Sequence, residues 1–388
     1  MAIVTLGSDI LFDRSLLRGR TIGLVCNPAS IDGRLQHVIS RAERAGVRVG
    51  AVFGPQHGYR SDLQENMIES PHGDDPTRGV KVYSLYSETR TPTAEMLAGL
   101  DALVIDLQDV GTRIYTYIYT VAHCLTAAAT HGVPVVVCDR PNPIGGTQVE
   151  GPMLLPGFES FVGQYPIPMR HGMTIGELAN LFNDHFGIGA KLEVVAMQGW
   201  SREQYFDATG LHWVLPSPNI PTLDSAIVYP GTVLFEGTNI SEGRGTTRPF
   251  ELCGAPWVSP EPFCDALNQR ALPGVHFRPH AFEPAFHKHA KALCGGCQIH
   301  VIDRAVFRAV ETGVALVEAF RDAGPGQFAW RDPPYEYEYT IPPIDILYGS
   351  ADLREGLEAG RTTGEITRAW KADVEPFLAL RARYLLYQ

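Results

Sequence analysis

At 388 residues, 45% hydrophobic and 19% charged, the chain is long enough for two domains and can bury a sizeable core. Its formal charge of −11 argues against a nucleic-acid backbone or an anionic membrane as the main partner, since both are polyanions, while leaving room for a local basic site. No uncharged apolar run reaches the roughly 18 residues expected of a membrane span.

The opening segment, MAIVTLGSDILFDRSLLRGR, has no basic leader, and Asp9 and Asp13 interrupt its apolar residues, so it reads as neither signal peptide nor anchor. Seven cysteines scattered through apolar segments suit buried thiols in a reducing compartment, and a cytoplasmic protein is expected. TIGLVC (21–26), VRVGAVF (47–53), ALVIDL (102–107) and VPVVVC (133–138) read as buried parallel strands. LQHVISRAERAG (35–46) and IYTYIYTVAHCLTAAATHG (114–132) carry apolar residues at helical spacing and end in glycine. This alternation predicts α/β architecture: a Rossmann-like, doubly wound parallel sheet over residues 1–155 and a smaller C-terminal α/β domain over 156–388. The active-site cleft is expected between the two.

From about residue 145 the texture turns to proline- and glycine-rich loops, then a helix is expected at 173–187. The segment 213–252 reads as long and turn-rich, the kind of loop that packs over a site. Beyond it come a helix near 260–271, a strand at 297–303 and helices at 304–322 and 363–384.

Ligands in such sheets bind beyond the carboxyl ends of the strands, and four strands here end in polar clusters. These are Cys26-Asn27-Pro28, Gly54-Pro55-Gln56-His57, Asp106-Leu107-Gln108-Asp109 and Asp139-Arg140-Pro141-Asn142. Asp106 and Asp109 either divide acid and base roles or serve as a helix cap with an ion pair to Arg113. The prolines around Arg140 and Asn142 stiffen a loop that holds a ligand or only ends a strand. In 236-EGTNISEGRGTTRPFE-251, Glu236, Asn239, Glu242, Arg244, Thr246 and Arg248 sit among three glycines, which suits a hydroxyl-rich or anionic ligand. Arg170-His171, just before a helix, suits a carboxylate-bearing ligand or a structural role. No GxGxxG follows the first strand, no Walker loop is present, and the lone Cys294-x-x-Cys297 near His287, His289 and His300 falls short of zinc spacing. Neither a cofactor nor a metal is expected.

The stretches FGPQHG, KVYSLYSETRTPT, DLQDVGTRIYTYIYT, DRPNPIGG, VEGPML, SFVGQYPIPMRHGMTIGEL, PSPNIPT and FEGTNISEGRGTTRPFEL resemble the YbbC/NamZ family, the exo-β-N-acetylmuramidases. The likeness runs in order from about residue 20 to beyond 300. It implies a glycoside hydrolase that removes terminal N-acetylmuramic acid from peptidoglycan fragments, here in cytoplasmic recycling. On that reading His57 orients or polarises the scissile linkage, and Asp106, Asp109 and Glu242 are the catalytic carboxylates. Arg60, Arg113, Arg140, Arg170 and Arg244 hold the lactyl carboxylate, assisted by His171. Asn142, Asn219, Asn239 and Thr246 take the acetamido group and hydroxyls.

One position departs from the family. Many relatives read GPEHG, whereas this chain has Gln56, and an amide cannot donate and recover a proton. Gln56 then binds sugar, with the acid drawn from Asp106, Asp109, Glu177, Glu236 or Glu242. Alternatively Glu65 or Glu69 reaches the same space. The remaining alternatives are a non-catalytic sugar- or muropeptide-binding protein and a metal-dependent hydrolase. The oligomeric state is not legible in the sequence.

Overall fold

The computed structural model describes residues 3–14, 16–64 and 67–388, so Glu65, one of the acids considered above, lies outside the described residues. Strands β1 (Thr21–Cys26), β2 (Arg48–Gly54), β3 (Gly73–Asp75), β4 (Val80–Ser84), β5 (Ala102–Asp106) and β6 (Val135–Cys138) alternate with helices. The helices are α1 (Gly7–Asp13), α2 (Val38–Arg44), α3 (Ala94–Leu97) and α4 (Tyr117–His131). A small hairpin follows, β7 (Glu150–Met153) with β8 (Pro168–Arg170), then α5 (Ile175–Asp184) and β9 (Leu192–Val195). The strands assemble in the order β3-β4-β2-β1-β5-β6-β9, all parallel except β3. The sheet therefore takes its last strand from beyond residue 155.

Period two along the strands divides the core, because successive side chains point to opposite faces. Ile22, Leu24, Cys26, Val104, Val136 and Cys138 pack beneath α1 and α2. Val25, Leu103, Ile105, Val135 and Val137 pack on the other face with α3, α4 and α5. With both faces covered and β1 near the middle, the sheet is doubly wound. Helix α4 stops where Gly132 takes φ 72°, a left-handed C-cap that glycine adopts without a Cβ penalty.

The C-terminal part is built on a three-stranded antiparallel sheet, β10 (Leu252–Ala255), β11 (Val275–Phe282) and β12 (Cys294–Val301), with β12 central. Around it lie α6 (Leu223–Thr232), α7 (Pro260–Gln269) and α8 (Ala309–Ala323). The segment expected as one long loop thus contains α6, which the Pro230-Gly231 pair conceals in the sequence. That glycine serves packing: a Cβ on Gly231 would lie 2.0 Å from the Ala309 carbonyl oxygen, and one on Gly313 would lie 2.3 Å from that of Gly231. Helices α9 (Pro343–Tyr348), α10 (Asp352–Glu358) and α11 (Thr363–Arg381) complete the chain. The tail after α11 returns to the first sheet, where the Tyr387 hydroxyl donates to Asp139 at 2.6 Å. No helix among the described residues is long and apolar enough to cross a membrane, and all seven cysteines are free and buried.

Candidate active site

A cavity opens where the loop after β2 and the start of α4 meet loops of the C-terminal part. Its wall carries Gln56, His57, Thr116, Asn219, Tyr229, Glu236, Arg244, Tyr335 and Glu336. Its free volume is about 40 Å³, room for a few waters and too little for a sugar ring.

Two carboxyl groups face the cavity in different company. Glu236 accepts from Arg244 Nη2 at 2.7 Å and from the Tyr335 hydroxyl at 2.5 Å. Glu336 accepts weaker bonds, from Gln56 Nε2 at 3.2 Å and the Tyr86 hydroxyl at 2.8 Å. Burial, with the Glu236 charge adding to it, lifts the Glu336 pKa to about 7 against the pull of those bonds and of Arg244. Thr116 Oγ1 donates to Gln56 Oε1 at 2.6 Å, which leaves the Gln56 NH₂ facing Glu336.

Arg244 has hydrogen-bonding capacity to spare. Its Nε lies 3.3 Å from Glu242, but its buried Nη1 has no partner among the described residues. His57 sits at φ 69° with Nδ1 2.8 Å from the Leu63 carbonyl. A carbonyl only accepts, so Nδ1 carries the proton and Nε2 is the acceptor nitrogen. Burial depresses the His57 pKa to about 4, keeping the ring neutral at physiological pH.

The remaining residues expected at the site lie off the cavity wall, most of them held by protein partners. Asp106 and Arg140 form a buried bidentate pair, Nε–Oδ1 at 2.5 Å and Nη2–Oδ2 at 2.9 Å. Asp109 accepts the Gly111 N–H at 2.7 Å and lies 3.5 Å from His171 Nε2. Glu242 is ringed by Lys288 at 2.8 Å, His287 at 3.2 Å and Arg244, and against its own burial these neighbours, Lys288 first, hold it far below the usual carboxylate range. Such a group is a poor proton donor. Arg113 donates to the carbonyls of Pro152, Ile167, Leu347 and Tyr348, stapling the β7–β8 hairpin to α9. Arg170 is held by Gln148 and the Ile144 carbonyl, and Asn142 by the Met173 carbonyl. His171 accepts from the Met173 N–H. Asn239 ties down Gln327 and Ala329, Thr246 closes a turn on Gly243, and Arg60 is exposed on the loop after His57. Glu177 caps α5 and pairs with Arg202, while Glu69 is exposed beside Tyr337. No group of three or more His, Cys, Asp or Glu among the described residues is placed to hold a metal ion.

Two family models together span almost the whole sequence: exo-beta-N-acetylmuramidase NamZ, N-terminal, over residues 22–224, and NamZ, C-terminal, over residues 227–387. The chain belongs to the NamZ family. It is 46% identical over 387 residues to the peptidoglycan beta-N-acetylmuramidase NamZ of Bacillus subtilis (strain 168), covering 99% of this chain and 91% of that one. A solved DUF1343 family protein from Bacteroides fragilis NCTC 9343 superposes with a TM-score of 0.90 at 34% identity, covering 100% of both chains. A second from the same organism gives 0.77 at 27% identity, covering 100% of this chain and 99% of that one.

Within this NamZ-family cavity, sequence reasoning overlooked Tyr335 and Glu336. Glu336 stands 280 positions beyond Gln56, next to Tyr335 in DPPYEYEYTIPP. The available signal was the two proline pairs that bracket the tyrosine–glutamate run, the same stiffening already noted around Arg140.

Proposed function

We propose that the chain is an exo-acting glycoside hydrolase that releases terminal N-acetylmuramic acid from peptidoglycan-derived fragments. The near-complete alignment with the Bacillus subtilis NamZ carries this reading. The cavity offers chemistry that fits it. Glycoside cleavage needs a carboxylic acid to protonate the leaving oxygen and, in most enzymes, a second carboxylate. Glu336 and Glu236 are such a pair, since their surroundings set them apart. The unused Arg244 Nη1 suits the lactyl carboxylate that marks muramic acid. Asn219 and Gln56 supply amides for hydroxyl and acetamido groups, and His57 Nε2 accepts a sugar N–H or O–H. The wall draws on both family matches, so the site is read as the cleft between two units. Seven free, buried thiols favour action in the reducing cytoplasm, on imported fragments.

Incubating the chain with the disaccharide of N-acetylmuramic acid and N-acetylglucosamine tests the reading. Mass spectrometry is expected to show both free sugars. Intact disaccharide together with a heat of binding would make the chain a sugar-binding protein instead.

A further inference from the structure

We infer that Glu336 is the proton donor of this reaction and that Gln56 is the amide that positions it, an assignment that rests on the glycosidase reading above. The first observation is backbone geometry. Tyr335 and Glu338 exchange both backbone hydrogen bonds at 2.9 Å, closing a two-residue turn. Its central residues, Glu336 and Tyr337, take φ 45° and 70°. A turn with two left-handed residues favours Asn and Gly, and here a glutamate and a tyrosine occupy it. Side-chain contacts hold it in place: Tyr337 lies under Arg90, 3.6 Å from the ring centroid, and bonds Glu69, while Glu336 points into the cavity wall. Strained positions of this kind concentrate at functional sites.

The second observation is the division of bonds. Both Glu336 oxygens accept one bond each, and a carboxyl group has about four acceptor positions, so a proton can be carried without breaking either. The titratable and charged neighbours are Tyr86, Tyr229, Tyr335, Glu236, Arg244 and, on the same wall, His57. Arg244 pairs with Glu236, and the Tyr335 hydroxyl also bonds Glu236, which leaves Glu336 the less compensated carboxyl. Its pKa of about 7 keeps it substantially protonated at neutral pH.

In the step proposed, the Glu336 proton passes to the glycosidic oxygen as the bond from that oxygen to C1 breaks and its electron pair stays with the leaving sugar. Water then adds at C1 and its proton returns to the Glu336 carboxylate. Gln56, whose side chain carries no carboxyl proton, takes no part in the proton transfer and holds the donor in register.

Two substrates separate the roles: the natural disaccharide, whose leaving oxygen needs a proton, and a 2,4-dinitrophenyl muramic-acid glycoside, whose leaving group does not. For Glu336→Gln, kcat/KM on the disaccharide is expected to fall about 10²–10⁴-fold. On the dinitrophenyl glycoside it is expected to stay within about tenfold, without the basic limb near pH 7 that the parent shows on the disaccharide. Gln56→Ala removes a donor to the carboxylate, so the basic limb on the disaccharide should move to higher pH, and a limb that stays in place overturns the positioning role of Gln56. Full disaccharide turnover by Glu336→Gln overturns the assignment, and so does equal loss on both substrates. Failure of the parent chain to cleave either substrate overturns the glycosidase reading itself.

Discussion

The carboxyl-end rim of the large sheet and the cavity a few residues away use the same side chains to opposite ends. At the rim, Asp106 and Arg140 satisfy one another, Asp139 accepts from Thr174, Gly176 and Tyr387, and Arg113 spends its terminal nitrogens on four carbonyls. In the cavity, Arg244 keeps an unused N–H and Glu336 holds its proton more tightly than an ordinary glutamate. Burial alone does not mark a site; buried hydrogen-bonding capacity left over does. The rim has exceptions, among them Gln108 Oε1, Asp109 Oδ1, Arg113 Nε and His171 Nε2, all buried without a hydrogen-bond partner among the described residues.

The largest effect should come from breaking the rim. Asp106→Asn leaves the buried Arg140 guanidinium without its counter-charge, and loss of one partner of a buried pair costs about 3–5 kcal/mol. The denaturation midpoint should fall accordingly, while kcat of the folded fraction on the disaccharide is retained. Replacing both partners, Asp106→Leu with Arg140→Met, should recover much of the loss, because no orphan charge then remains. A stable Asp106→Asn protein lacking turnover would move Asp106 from the frame to the chemistry.

A second effect belongs to the cavity and depends on pH. Glu336 is lifted from an ordinary 4.5 to about 7, so the folded state holds its proton more tightly than the unfolded chain. Stability from this group is therefore complete below about pH 4.5 and is lost as pH rises through 7, by about 3 kcal/mol in all. Glu336→Gln has nothing to ionise there. Compared with the parent it should be similar near pH 4.5 and more stable at pH 8, as expected where function strains a fold. Asp139, raised to about 6 by burial and then by Glu177, adds its own decline to both proteins, so the difference between them isolates Glu336. Parallel midpoint-against-pH curves would show that Glu336 titrates normally.

These contrasts explain what the sequence could reveal. Strands β1, β5 and β6 are apolar on both faces and stand out as unbroken runs. Strand β9, at the sheet edge, places Glu193 in the open, and β4 does the same with Lys81, so neither forms such a run. The rule that ligands gather at strand ends located Gln56 and His57, and the glycine-rich loop located Arg244, while Asn219 lies in the PSPNIPT stretch. The same rule also drew in Asp106, Arg140 and Asn142, because capping a backbone and gripping a ligand call for identical functional groups. Only three-dimensional partners distinguish the two uses, and Glu336 reaches Gln56 only through the folded chain.

The smallest effect tests that distinction at a hydroxyl. Thr246 Oγ1 donates to the Gly243 carbonyl at 2.5 Å and accepts the Arg248 N–H at 3.2 Å, a local turn closed on itself beside Arg244. If the turn is its whole purpose, Thr246→Ala should cost about 1 kcal/mol in denaturant midpoint, the usual net value of such bonds. KM for the muramic-acid glycoside should be unchanged, since no bond to the sugar is lost. A severalfold rise in KM with unchanged stability would put the hydroxyl on the ligand, and self-satisfied bonding would then no longer separate frame from site on this side of the cavity.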